Sequence, residues 1–162
     1  MTEESYQEIM MYNKDIKKDE EMKRALIEKA IAALPNSYAP YSKYNVAAAV
    51  LMSTGNIYTG VNVENAGFSA TVCAERNAIH HAIAEGEKEI VAIAVVGGTN
   101  AEIGGDYCVP CGICRQVMRE FADKDKMIIL CAKSADDYLE KTLDEMLPYS
   151  FGPERLNMQV EL

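Results

Sequence analysis

Two short segments constrain this chain more than any others: Cys73-Ala74-Glu75-Arg76 and Pro110-Cys111-Gly112-Ile113-Cys114. Each stands where a helix is predicted to begin. A fold that brings them together offers three thiolates to one zinc ion, with a carboxylate two residues from the first thiolate. Three protein ligands leave the fourth tetrahedral position open to water, and a nearby carboxylate can move that water's protons. That is the outline of a hydrolytic site. A purely structural zinc is expected to take a fourth ligand.

Charge adds detail. Three thiolates on one Zn2+ leave a net charge of −1, which weakens the ion's pull on water. The positive ends of two helix dipoles offset that charge and lower the thiol pKa values. Arg76, one residue past Glu75, is a candidate cation beside the sulfurs. A closed site is conceivable, because Cys108-Val109-Pro110-Cys111 is also a C-x-x-C pair. Cys108, however, precedes a proline and is expected on a loop, whereas Cys111 and Cys114 are one helical turn apart. His80 shares a helix face with Cys73 but stands about 10 Å along the axis, too far for the same ion. His80 and His81 are expected to pack or face solvent, and Cys131, in an apolar run, to be a core residue.

The five cysteines are an odd number, mostly in one cluster, and read as metal ligands and free thiols rather than a disulfide framework. No secretory or membrane-spanning pattern is visible, so the cytoplasm is expected. A net charge of −9 argues against nucleic acid as the partner, since phosphates seek Lys/Arg surfaces.

The 162 residues suit one domain, expected over 20–162, with 1–19 as a tail or short helix. Helical spacing of apolar residues predicts a helix over 20–34, stopped by Pro35. Residues 46–52 and 57–63 read as a hairpin across Ser53-Thr54-Gly55-Asn56. A helix is predicted over 71–85, a strand over 90–96, a glycine-rich loop over 97–107 and a helix from 110 or 111 to about 122. A strand over 127–131 and an edge strand over 138–141 follow. Thr142 and Glu145 make a capping-box pattern for a short helix. Strands separated by crossover helices imply a three-layer α/β/α fold on a mixed, about five-stranded sheet.

Six landmarks then stand in order: Ala39-Pro40-Tyr41-Ser42, residues 46–50, Asn62-Val63-Glu64-Asn65-Ala66, Cys73-Ala74-Glu75-Arg76, the segment from Pro110 to Gln116, and residues 147–153. Over roughly residues 22–156 the chain resembles the cytidine deaminase family in its three-cysteine, homotetrameric form. The resemblance implies one Zn2+ per subunit on Cys73, Cys111 and Cys114. It also implies hydrolysis at C4 of cytidine and 2′-deoxycytidine in pyrimidine salvage. Glu75 would act as base and then acid: it would pass a water proton to N3 and later protonate the departing amine. Asn62 and Glu64, alternating along a predicted strand, would hold the ribose hydroxyls. Ala66 and Ala74 would offer backbone hydrogen bonds to the base. Tyr44 would stack on the pyrimidine, and Phe151 would enter a neighbouring subunit's site.

Against the family's usual pattern, Ala47 replaces a glycine and Tyr44 a phenylalanine. Gly67-Phe68 replaces a small residue and tyrosine, and 97–109 is a few residues longer. The rival readings are a deaminase of a modified cytosine nucleoside such as blasticidin S, a polynucleotide-editing deaminase and a non-catalytic zinc module. Retained Asn62 and Glu64 favour a ribose-bearing substrate.

Overall fold

The computed structural model describes residues 15–156. Most of the expected 1–19 segment lies outside that range. Its last residues form a 3-10 turn, Ile16–Lys18, whose Ile16 is buried against the first helix.

Helix α1, Glu20–Ala33, starts where the Asp19 side chain accepts the Met22 N–H at 2.9 Å. It buries Met22, Leu26, Ile27 and Ala30. Burying a Leu or Ile side chain is worth about 1.5–3 kcal/mol, whereas a cap contributes about 1 kcal/mol. Packing therefore does more than capping to hold α1. Pro35 sits in the 3-10 turn Leu34–Asn36 that closes it.

Five strands follow: β1 (Tyr44–Met52), β2 (Ile57–Val61), β3 (Ile90–Thr99), β4 (Ile128–Ala132) and β5 (Tyr138–Thr142). They form one sheet in the order β2-β1-β3-β4-β5. Only the β3–β4 pair is parallel, so the sheet is mixed, as expected. Period-two alternation divides β1 between two cores. Ala47, Ala49 and Leu51 face α1, while Ala48, Val50 and Met52 face helices α2 (Ala74–Ala84) and α3 (Gly112–Glu120). The result is the three-layer α/β/α arrangement. Ala47 is fully buried on the α1 side. The short helix α4, Leu143–Met146, carries both reciprocal bonds of the predicted capping box.

Several boundaries differ from expectation, and three of them bear on the site. β3 runs on through Gly97 and Gly98 to Thr99, because β1 supplies ladder partners as far as Tyr44↔Thr99. β2 stops at Val61, so Asn62 and Glu64 are not strand residues. They flank Val63, which makes isolated bridges to Tyr38 and Val72. α2 begins at Ala74, because Phe68–Ala70 is a separate 3-10 turn.

The register gathers one edge of the sheet. The start of β1 lies beside the ends of β2 and β3, through Ala47↔Val61 and Tyr44↔Thr99. The chain leaves that edge into the segments that open α2 and α3. Gly60 sets how closely α2 approaches: a Cβ there would lie 2.6 Å from Ala74 O and 2.8 Å from the Asn77 carbonyl carbon. The strand backbone lies flush on the first turn of α2.

Candidate metal centre and its surroundings

Cys73 is the N-cap of α2 and Cys111 the N-cap of α3, while Cys114 lies one turn into α3. The predicted convergence of two helix starts is therefore present. Cys73 Sγ is 3.8 Å from Cys111 Sγ, and Cys111 Sγ is 3.5 Å from Cys114 Sγ. All three sulfurs lie within 4.8 Å of one another. A tetrahedral zinc with bonds of about 2.3 Å separates its sulfurs by about 3.8 Å. The geometry fits such an ion with little rearrangement.

The electrostatics fit as well. The Cys73 thiol is lowered to about 5, first by its hydrogen bond with Cys114 and then by Arg76. Cys114 is pushed far up by the same bond and by burial, because it keeps the shared proton. Arg76 Nη2 lies 3.7 Å from Cys73 Sγ. Its Nε–H is buried without an acceptor among the described residues. An anionic tris-thiolate would supply one, so the donors present match the charge the cluster acquires with metal.

Glu75 is 4% exposed, a carboxylate held in the first turn of α2. Burial pushes its pKa up to about 7, against the pull of its own backbone N–H and of Arg76. It lies outside the group of three sulfurs yet interacts electrostatically with the Cys73 and Cys114 thiols. That places it beside the cluster and not in it.

Glu64 turns onto the segment before β1, and Asn62 onto that segment and the start of β1 itself. The Asn62 carbonyl oxygen accepts from Val46 N at 2.9 Å and from the Ser37 hydroxyl, while its amide donates to Tyr44 O at 2.9 Å. Glu64 accepts from the backbone of Tyr41 at 2.9 Å and of Ser42 at 3.2 Å, and from the Ser42 hydroxyl. The Ser42 hydroxyl is the main reason its carboxyl sits below the usual range. Both residues thus shape the rim before any ligand arrives. Ser37 and Ser42 were missed as partners. Ser42 lay within the Ala39-Pro40-Tyr41-Ser42 landmark, but no local pattern links it to a residue 22 positions away. Asn77 was also missed; its amide donates to Val61 O at 2.8 Å and ties α2 to the end of β2.

Ala74 is buried at the first position of α2, where an N–H has no partner inside its helix. Ala66 is exposed on the preceding loop. Tyr44 is partly exposed at the start of β1, and Phe151 is 58% exposed, so neither is a core residue. Gln116 donates to Phe151 O at 2.9 Å and anchors that segment to α3. Phe68 is exposed and meets Tyr41 edge-on. His80 and His81 are on the surface, Cys131 is buried in β4, and Cys108 lies outside the sulfur group.

A profile for the cytidine and deoxycytidylate deaminase zinc-binding region matches residues 20–131. A cytidine deaminase of Halalkalibacterium halodurans is 42% identical over 135 residues, spanning 83% of this chain and 98% of that one. A probable cytidine deaminase of Dictyostelium discoideum is 36% identical over 144 residues, covering 86% of this chain and 93% of its own length. Among solved structures, the cytidine deaminase of Burkholderia pseudomallei superposes with a TM-score of 0.70 at 38% identity, over 78% of this chain and 97% of that one.

Proposed function

The chain belongs to the cytidine and deoxycytidylate deaminase family, and we propose that it hydrolyses cytidine and 2′-deoxycytidine to the corresponding uridines, releasing ammonia. The observation that carries the reading is the buried Glu75 beside, but outside, the three converging thiols.

Cys73, Cys111 and Cys114 are the residues that would hold zinc, one ion per subunit. When bound, zinc supplies a Lewis acid that makes water nucleophilic near neutral pH. The remaining work falls to the chain's own groups. Glu75 takes a proton from the attacking water and delivers it to N3 of the cytosine ring. Water oxygen adds at C4; Glu75 then takes the remaining proton of that hydroxyl and hands it to the amine as the C4–N bond breaks, leaving a C4 carbonyl. One carboxylate can serve as base and then acid only if it is free of the metal, which its place beside the cluster allows. Arg76 offsets the thiolate charge at Cys73.

Asn62 and Glu64 orient the sugar. Glu64, held ionised by Ser42 and two backbone N–H groups, is an acceptor for a ribose O–H. Ala66 and the Ala74 N–H bind the base edge, and Tyr44 lies against its ring. Phe151 reaches a neighbouring copy in a homotetramer. An uncharged substrate suits a chain of net charge −9. The free thiols among the described residues suit the reducing cytoplasm, and pyrimidine salvage is the matching role.

The test combines metal content with a panel of cytidine, deoxycytidine, cytosine and blasticidin S. About one zinc per subunit and fastest turnover of the two nucleosides is the expected result. Preferred turnover of blasticidin S would replace the substrate reading. Stoichiometric zinc without turnover of any member would defeat it.

A further inference from the structure

Arg119 is a buried cation that none of the chemistry above uses. It lies in the last turn of α3, the helix that opens at Cys111 and carries Cys114, and is 7% exposed. A charge this deep needs partners, because burial strips it of water. Two of them lie in the segment that follows α4. Arg119 Nε donates to the Ser150 hydroxyl at 2.9 Å, and Nη2 pairs with the Glu154 carboxylate. Gly152, between the two, makes the room: a Cβ there would collide with the guanidinium and with the Glu154 carboxylate. Gln116, three residues before Arg119 and so on the same helix face, donates to Phe151 O at 2.9 Å. One face of α3 thus grips the chain on both sides of Phe151 and at its own carbonyl.

The segment has little else to fix it. Residues 147–152 belong to no helix or strand, and Gly152 alone among them is buried. Tyr149 is fully exposed and Phe151 is 58% exposed. Apolar packing within one chain therefore leaves the Phe151 ring free to move, and the polar contacts to α3 restrain its backbone. We propose that Arg119 is a positioning residue that holds Phe151 in place to meet the substrate of a neighbouring copy. The inference rests on the reading of Phe151 as that neighbour's contact. A segment already fixed has less order to gain when substrate binds. Without the clamp the ring is competent for only part of the time, and apparent affinity falls by that fraction. Arg119 touches no reacting atom, so it acts on KM more than on kcat.

The test uses the full-length, zinc-loaded protein with Arg119→Leu, Arg119→Lys, Phe151→Ala and the Arg119→Leu/Phe151→Ala pair. KM and kcat for the preferred nucleoside of the panel above, zinc content and thermal midpoint are measured for each. A hydrogen bond to a charged group is worth roughly tenfold or more in an equilibrium. Arg119→Leu is expected to raise KM about tenfold, with kcat moving less and zinc retained. Arg119→Lys, which keeps the charge but not the planar fork, should recover part of the loss. In the Phe151→Ala background, Arg119→Leu should change KM little further. If Arg119→Leu does not fold, Ser150→Ala and Glu154→Gln remove the same contacts from less buried positions and carry the same prediction.

Mixed oligomers separate this role from one inside a single chain. When Arg119→Leu is co-expressed with Glu75→Gln, some intact Glu75 sites receive a clamped Phe151 from a Glu75→Gln neighbour. A phase with the wild-type KM should then reappear. Its absence would overturn the proposal, as would additive effects of Arg119→Leu and Phe151→Ala on KM, or loss of zinc in Arg119→Leu. An unchanged KM in Arg119→Leu beside a raised KM in Phe151→Ala would overturn the proposal and leave the reading of Phe151 standing. A wild-type KM in Phe151→Ala would overturn that reading and the proposal with it.

Discussion

Replacing Glu75 with Gln keeps the side chain's shape and removes its capacity to take up a proton. Proton transfer by a positioned side chain is worth about 10²–10⁴-fold. Glu75→Gln is therefore expected to lose at least a hundredfold in kcat while metal content and thermal midpoint stay near wild type; turnover within a few-fold of wild type would remove Glu75 from its role. The three cysteines were legible in sequence because their chemistry and spacing are local to two helix starts. Cys108 was set apart by the same logic; it lies on the loop before α3, as expected, and is buried there. What Asn62 and Glu64 touch was not legible. Their partners Ser37, Tyr41 and Ser42 belong to an irregular segment, and such contacts depend on how loops fall across one another.

Among the elements, α2 carries Cys73 and Glu75 and depends on its close approach to β2. Gly60→Ala forces a methyl group into the backbone of that helix. Overpacking of this kind costs about 1–3 kcal/mol. Calorimetry should register the lowered midpoint, and turnover should fall with it because the helix start must shift. Thr142→Ala offers the contrast: loss of a cap costs about 1 kcal/mol and should leave kcat/KM unchanged, since α4 bears no proposed site residue. Equal effects of the two substitutions on turnover would argue that Gly60 does not position the site. Apolar spacing and apolar runs located α1–α3 and β1–β4, and the capping box located α4. The ends of β2 and β3 escaped these signals, since ladder partners, and not a residue's own preference, decide where a strand stops. Glycine pairs read as a loop until β1 lies beside them.

At the scale of the whole molecule, the exposed large apolar side chains include Tyr38, Tyr41, Phe68, Tyr149 and Phe151. The homotetramer proposed above would cover some of these rings. Light scattering at micromolar concentration is expected to give the mass of four chains, and Phe151→Ala to lower turnover by acting on a neighbour's site. A monomer of full activity would refute both. The three-layer order followed from alternating strands and helices. The proposed assembly did not, because nothing in the pattern of one chain separates a surface ring that meets a partner from one that meets water.

One consequence of the cysteine arrangement concerns the stability of the native state. Cys73 and Cys111 stand at opposite ends of a stretch that contains β3, the strand that joins the β1–β2 hairpin to β4. In the folded chain the two thiols meet across that strand, and a loop of this length closes at an entropic cost that bonds to an ion would offset. A bound ion would therefore be expected to stabilise the sheet's centre. Chelation should accordingly speed hydrogen exchange at β3 amides more than at those of α1, measured by mass spectrometry. Uniform acceleration across the chain would show that the ion does not act locally. Metal occupancy would then report on the integrity of the sheet's centre as well as on readiness for the proposed chemistry.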